Sequence, residues 1–405
     1  MNLPPRREQG PAVPTLLREI NERRILDVLR SNGSLHAAEI ARLVGLSKPT
    51  TAALLRGLIE VGLVSEETPG VKDSKRARAV YSSVADAGVS LGIDFGAKFL
   101  RAALADLNGK IRAETSIEIG QLNLRTLLAA LNKAVDYVLA ESGFTQDHIA
   151  SIVVGTPGVV DRKSGKIAIA GTIGDLDGIK LGEVIAKEYG VTPIIENDIN
   201  LIALAEMEGG VGTGVNDFAV LSVGSGLGSG LVLNGKLHRG HKGAAGEIFY
   251  VPFGDPFDNH HASTDPATAG VITLAENLAK KFPKSEIARP YTPAKIFEAA
   301  RQGDALGRAI VAVEAERIAL YIASISAVVD VELIILAGGI GRNGDLLIAP
   351  IKSLLDSLIP FPPRIESTSL GDSAVLAGAL RMATRNTQEL IFRDRSSSIE
   401  VLESL

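Results

Sequence analysis

A chain of 405 residues, 46% hydrophobic and 22% charged, is long enough for two or three cores and too apolar for a disordered chain. Without a cysteine it forms neither disulfides nor a thiolate zinc site, and no apolar run reaches the ~18 residues of a membrane span; with no secretory leader in its first residues, a cytoplasmic protein is expected. The net charge of −5 is unevenly spread: residues 1–85 hold 13 Lys and Arg against 9 Asp and Glu, the rest 29 against 38, so cations gather where a polyanion would bind.

Residues 1–15 are rich in proline and are expected to be flexible. From Leu16 to Leu29 apolar residues recur at helical spacing, and Asn32-Gly33 ends that helix. A second helix follows with Ala37, Ala38, Ile40, Ala41 and Leu43 as its buried stripe. Gly45-Leu46 makes a tight turn, and Ser47 caps a third helix, with Pro49 in its first turn, running to about Val61. This geometry presents a helix N-terminus to a major groove. Ser47, Lys48, Thr50 and Thr51 cluster at that end and Arg56 lies further along; the small hydroxyls suit close approach, while Lys48 and Arg56 suit phosphates. A strand from Val64, a basic tip with Lys72, Lys75, Arg76 and Arg78, and a return strand at Ala79-Val80-Tyr81 make a wing. Residues 16–85 therefore read as a winged helix-turn-helix domain for double-stranded DNA. The bland alternative is a three-helix packing unit with solvated cations.

Beyond it, Val89–Gly96 reads as a buried strand ending in Asp94 and Gly96, followed by a hairpin through Asn108-Gly109 and a helix at Leu124–Ser142. Ile149–Gly155 is a further strand, leading into Gly155-Thr156-Pro157-Gly158. Another strand ends in Glu196-Asn197-Asp198. The theme then repeats: strand Ala219–Val223, the glycine run Gly224-Ser225-Gly226-Leu227-Gly228, and strand Leu333–Ala337 before Gly338-Gly339. Recurring strand, glycine turn and helix argue for two α/β lobes with a cleft between them, residues 86–200 and 201–385, and a tail at 386–405.

The order helix-turn-helix, Asp-x-Gly, Gly-x-Pro-Gly, Glu-Asn-Asp, Gly-Ser-Gly-x-Gly, Gly-Glu and Gly-Gly-x-Gly resembles the ROK family of repressors, open reading frames and sugar kinases, over about residues 15–385. That resemblance implies an α/β body on the two-lobed actin-like ATPase fold behind the winged helix-turn-helix. It also implies a sugar site with Gly158, Asn197, Asp198 and Glu247; Asp198 is the general base if the protein is a kinase. Asp94, Gly96, Gly224, Ser225, Gly226, Gly228, Gly338 and Gly339 match the phosphate and nucleotide turns. Departures fall on the demanding positions. Ala97-Lys98 replaces the kinases' Gly-Thr, Phe249-Tyr250 replaces Gly-His, and the cysteine cluster that binds structural zinc gives way to Gly254–Ala262, whose His260-His261 pair has no matching ligand pair. No metal and no cofactor are expected.

The expected function is a DNA-binding regulator, a repressor, controlled by a sugar or sugar derivative, with no catalytic residues in use and no membrane partner. A two-fold body implies a homodimer or dimer of dimers on a palindromic operator, with Ile318, Ile322, Ile325 and Val329 either a dimer face or core. Two alternatives stay open: an ATP-dependent sugar kinase with an added DNA module, and a constitutive DNA binder whose body only dimerises.

Overall fold

The computed structural model describes residues 14–67, 79–96, 98–120, 123–161, 167–168, 179–253 and 265–403. At the amino-terminal end α1 (Pro14–Asn32), β1 (Leu35–His36), α2 (Ala37–Val44) and α3 (Lys48–Glu60) precede β2 (Val64–Glu67) and β3 (Val80–Ser83). Ile25, Leu26 and Leu29 of α1 bury against Ile40, Leu55 and Leu58. Gly45 takes a left-handed φ of 74° after α2, a conformation that favours glycine and lets its N–H donate to Ala41 O. β2 and β3 pair antiparallel with Val64 opposite Ser83, and β1 adds to β3, which completes a winged helix.

Two expectations change here. The buried row of α2 is Ile40, Ala41 and Val44, while Ala38 and Leu43 are exposed, because the helix docks on α1 and α3 one position round from the expected stripe. The wing tip with Lys72, Lys75, Arg76 and Arg78 lies outside the described residues.

In the body, β4 (Val89–Phe95), β5 (Phe99–Asp106) and β6 (Ile111–Glu118) form an antiparallel meander. Helix α4 (Leu124–Ser142), capped by Asn123 and closed by Gly143, leads to β7 (Ile149–Thr156), which lies parallel to β4. The short pair β8 (Val159–Val160) and β9 (Ile167–Ala168) and helix α5 (Leu181–Tyr189) precede β10 (Ile194–Asn197), which is parallel to β7. Helix α6 (Asp198–Gly209) then crosses to β11 (Phe218–Val223), β12 (Leu227–Leu233) and β13 (Lys236–His238). Helices α7 (Thr268–Leu278), α8 (Pro293–Arg301) and α9 (Ala305–Val329) follow. Strand β14 (Leu333–Ala337), the short α10 (Gly338–Gly341), α11 (Gly344–Leu358) and β15 (Arg364–Ser367) complete the second sheet. The orders are β10-β7-β4-β5-β6 and β13-β12-β11-β14-β15. Counted within its own lobe, each sheet runs third, second, first, fourth, fifth: one topology used twice.

Every residue of β4 is buried, which is why that segment reads as a nearly unbroken apolar run. One face of its sheet carries α4. On the other lies α12 (Ala374–Glu403), a 30-residue helix. It approaches so closely that a Cβ at Gly92 would press on the Leu380 backbone, and one at Gly378 would overlap the Leu201 carbonyl of α6. The small residues of Ser373–Ala379 serve this packing.

α12 also revises the expected boundaries. Residues 386–403 are not a separate tail but continue the helix, and Phe392 is buried in the winged-helix core beside Leu26 and Leu29. Arg23 of α1 pairs with Glu389 and lies 4.3 Å from the centre of the Phe392 ring. A division at 200/201 would cut α6, which packs on both β7 and β12. Ile318, Ile322 and Ile325 are core residues of the second lobe, not a surface face.

Candidate functional site

Asn197 ends β10 and Asp198 begins α6, so both sit at the carboxyl edge of the first sheet, where α/β folds place ligands. Asn197 Oδ1 accepts the Ile199 and Asn200 N–H groups at 2.9 and 3.1 Å, and its amide donates to Gly158 O at 3.0 Å. Gly158 stands at φ 97° and turns the chain after β7 toward that amide. Asn197 thus ties the Gly-x-Pro-Gly turn to the start of α6, leaving one amide hydrogen for a ligand. Burial pushes the Asp198 carboxyl up to about 7; Asp94 and Glu247 add repulsion, and the Ile199 N–H, at 2.9 Å, pulls the other way. The three carboxyl groups therefore face a common electrostatic neighbourhood.

Glu247 follows Gly246, whose φ of 88° and close approach to the Ser229 carbonyl leave no room for a Cβ. Ser229 N donates to Gly246 O at 2.9 Å, so β12 holds this turn directly. Burial raises the Glu247 carboxyl. Tyr250, in the place of the expected histidine, is exposed.

Behind the Asn197-Asp198 pair lies a group that sequence reasoning missed. Buried Glu196 accepts from Arg239 Nε at 2.6 Å, Asn200 Nδ2 at 2.8 Å and Asn197 N at 3.1 Å. Arg239 follows β13 in the second lobe, so this ion pair joins the lobes. With Lys180, Asn197 and Gly243 the two line a pocket of about 630 Å³. Strand alternation was the available signal, since it turns Glu196 away from the face Asn197 uses.

The phosphate-type turns differ from one another. In the first lobe the β4–β5 register sets Arg101 opposite Asp94, and Arg101 Nη1 donates to its carboxylate at 3.0 Å. Burial nevertheless raises Asp94 to about 6. Gly96 N donates to Phe99 O at 3.0 Å, Lys98 is exposed, and Ala97 lies outside the described residues. In the second lobe Gly224, Ser225, Thr268, Arg301 and Gly339 line a pocket of about 520 Å³. Gly224 O accepts both Thr268 N and its hydroxyl at 2.8 Å. Gly226 is open on its side-chain face. Gly228 is corrected: it lies within β12 beneath Ile199 of α6, and its lack of a side chain serves packing. Gly338, at φ 79° against the Val223 carbonyl, is required by the turn itself.

The cysteine-bound zinc implied by the resemblance does not fit, because the chain has no thiolate to offer. Gly254–Ala262 with His260-His261 lies outside the described residues.

On the winged helix, Ser47, Lys48 and Thr50 are exposed at the start of α3 and Arg56 further along it, and Ser47 Oγ accepts the Thr50 N–H at 3.2 Å. Thr51 is corrected: it is fully buried and its hydroxyl donates to Ser47 O at 3.0 Å, so it closes the helix start from inside. Ala52 and Ala53, missed earlier, are exposed beside Lys48; two methyl-sized residues flanking a lysine are the signal that would have found them.

The ROK family model matches residues 90–386. The chain belongs to the ROK family. An IclR helix-turn-helix model matches residues 24–68, so the ROK body carries a DNA-binding-type module before it. A xylose repressor from Caldicellulosiruptor bescii is 26% identical over 392 residues, 91% of this chain and 96% of that protein. A glucokinase from Halalkalibacterium halodurans is 27% identical over 276 residues, 65% of this chain and 83% of that enzyme. The crystal structure of a ROK family transcriptional regulator, a homologue of the E. coli MLC protein, superposes with a TM-score of 0.76 at 20% identity, covering 94% of this chain and 98% of that one. The repressor matches through the winged helix as well as the ROK body, whereas the glucokinase alignment covers a smaller share of this chain.

Proposed function

We propose that this protein is a sequence-specific DNA-binding transcriptional regulator, a repressor, governed by a sugar or sugar derivative held between its lobes, and that it does not phosphorylate that sugar. The observation that carries the reading is Phe392: one helix lies against α6 and the first sheet and buries this side chain in the winged-helix core. An enzyme with an independent appendage has no need of such a shared element; a sensor does.

In this reading Asp198, Glu247 and the free amide hydrogen of Asn197 hold sugar hydroxyls, with Asp198 accepting a hydrogen bond and removing no proton. Gly158 contributes backbone to the same wall. Closure of the lobes alters the Arg239–Glu196 pair and the seat of α6 under α12; α12 carries that change to α1 and the exposed face of α3. A ligand with different affinity for the two arrangements shifts DNA affinity by that difference. Ser47, Lys48, Thr50 and Arg56 meet the duplex, joined by Lys72, Lys75, Arg76 and Arg78 of the wing. Two copies related by a two-fold axis, as a homodimer or dimer of dimers, read a palindromic operator. The similarity to a xylose repressor makes D-xylose the first effector to try.

Thermal shift with D-xylose, D-glucose and N-acetylglucosamine should find one sugar that stabilises the wild type and not Asp198→Ala. The same sugar should change affinity for an operator selected from random duplex by about tenfold, or ~1.4 kcal/mol. Sugar-dependent ATP turnover that disappears in Asp198→Ala would overturn the regulator in favour of a kinase. Operator binding indifferent to every sugar would favour the constitutive binder.

A further inference from the structure

Arg317 and Tyr321 occupy one side of α9, one turn apart, and both are buried. Arg317 Nη1 donates to Asp265 O at 2.9 Å. The Tyr321 ring meets the Phe253 ring edge-to-face with centroids 4.9 Å apart. Phe253 and Asp265 bracket the segment 254–264, so a single helical face secures the chain on both sides of it.

The upstream side of that segment is the cleft wall. From Gly246 the backbone closes on itself in short steps: Ile248 N donates to Gly246 O at 2.7 Å, Tyr250 N to Glu247 O at 3.2 Å and Phe253 N to Val251 O at 3.0 Å. Ile248 and Phe253 of this stretch pack against the second-lobe core, so the Phe253–Tyr321 contact is part of its apolar anchorage. The downstream side is equally constrained. Asp265 Oδ1 accepts the Ala267 N–H at 2.8 Å where α7 begins, and Gly270 leaves space for the Asp265 carbonyl that Arg317 grips. A buried guanidinium is costly without polar partners, and the Asp265 carbonyl is one. Glu314, one turn earlier and fully buried, is a second such partner, with Oε2 3.5 Å from Arg317 Nη1.

We infer that Arg317 and Tyr321 are positioning residues for the ligand-facing wall: they clamp the backbone on either side of segment 254–264 to α9 and so set where Glu247 stands. The clamp rests on Glu247 being part of the effector site, but its mechanical content can be measured without any effector.

The experiment is hydrogen exchange on the full-length protein, read at the amides of Ile248, Tyr250, Val251 and Phe253 and, as an internal reference, at those of β14. Tyr321→Leu and Arg317→Met are compared with Tyr321→Phe, which keeps the ring, and with wild type in EDTA. Arg317→Met does not strand a buried anion, because burial already pushes the Glu314 carboxyl up to about 8 and it takes a proton when the arginine is gone. The expected result is at least tenfold faster exchange at 248–253 in Tyr321→Leu and Arg317→Met, unchanged exchange in β14, wild-type behaviour in Tyr321→Phe, and no response to EDTA. Wild-type exchange at 248–253 in both disruptive variants overturns the inference. So does equal loosening of β14, which would make the pair ordinary core, or loosening by EDTA, which would make a metal the clamp. D-xylose binding measured on the same variants separates the two ideas. Exchange that rises while Glu247→Ala leaves every sugar response intact sinks the assignment of Glu247 and spares the clamp.

Discussion

The winged helix and the interlobe cleft place charge in opposite settings. Lys48 and Arg56 stand in water on the outer side of α3, where a neighbouring polyanion and the salt concentration decide what each contributes. Asp94 is buried and Asp198 half-buried, and desolvation is the first cause of the upward shift in both carboxyl groups. One part of the chain uses many weak, screened contacts whose number matters. The other uses few groups whose exact surroundings matter. Substitutions should therefore have unequal consequences in the two places, and the comparison fails if they do not.

The largest effect is expected at Gly246→Ala. A left-handed φ costs an L-residue about 1–2 kcal/mol, and overlap with the Ser229 carbonyl adds about 1–3 kcal/mol. Urea unfolding should show a loss of about that sum, and sugar-induced stabilisation should go with it. Next is Phe392→Ala, which empties a buried site shared by α12 and α1 and should destabilise the winged helix by about 3 kcal/mol. Hydrogen exchange in α1 should rise there far more than in β11; equal change in both would deny that the contact is local.

The pH response tests the cleft through a single substitution, because Glu314 of α9, pushed up to about 8, adds to the same fall in every variant. Asp94 and Asp198 have folded pKa values of about 6 and about 7, above their unfolded values, so the folded state binds protons more tightly. Their contribution to stability is complete below about pH 4 and is lost as pH rises through 6 to 7. Unfolding midpoints should fall between pH 5.5 and 7.5, and Asp198→Asn should remove about 1 kcal/mol of that fall. A slope unchanged in Asp198→Asn would place the proton elsewhere. The smallest effect belongs to the module: Lys48→Ala should reduce the slope of log affinity against log salt by about 1, with stability unaltered.

How far the sequence could be read follows the same division. The winged helix was legible because each of its turns has a local cause: Gly45 for the left-handed turn, Ser47 for the cap, and the paired strands for the wing. Its errors, Thr51 and Leu43, are errors of helical phase, since which side of a short amphipathic helix turns inward depends on where α1 lies. In the body, Leu124–Ser142 was read to its ends because Asn123 and Gly143 mark them. Asp198 and Glu247 came from motif order. Glu196 came with its motif, but its pairing with Arg239 did not, because a salt bridge across 43 residues leaves no spacing rule. Gly228 shows the converse: a glycine in a recognisable motif can answer to the Ile199 side chain packed on it. The tail was misread because its Ser-rich, charged composition resembles a solvated end. Phe392 and Ile391 were the clue to the contrary, two large apolar residues set among charges.

That docked helix has a bearing on how the protein is made. Arg23 and Glu389 are 366 residues apart in the chain, so α1 leaves the ribosome long before its partner exists. Contacts of such separation form late, and the flank of α1 that Phe392 covers stays bare in the meantime. The winged helix is therefore completed only after the whole ROK body behind it has been translated, so its packing depends on the far end of that body.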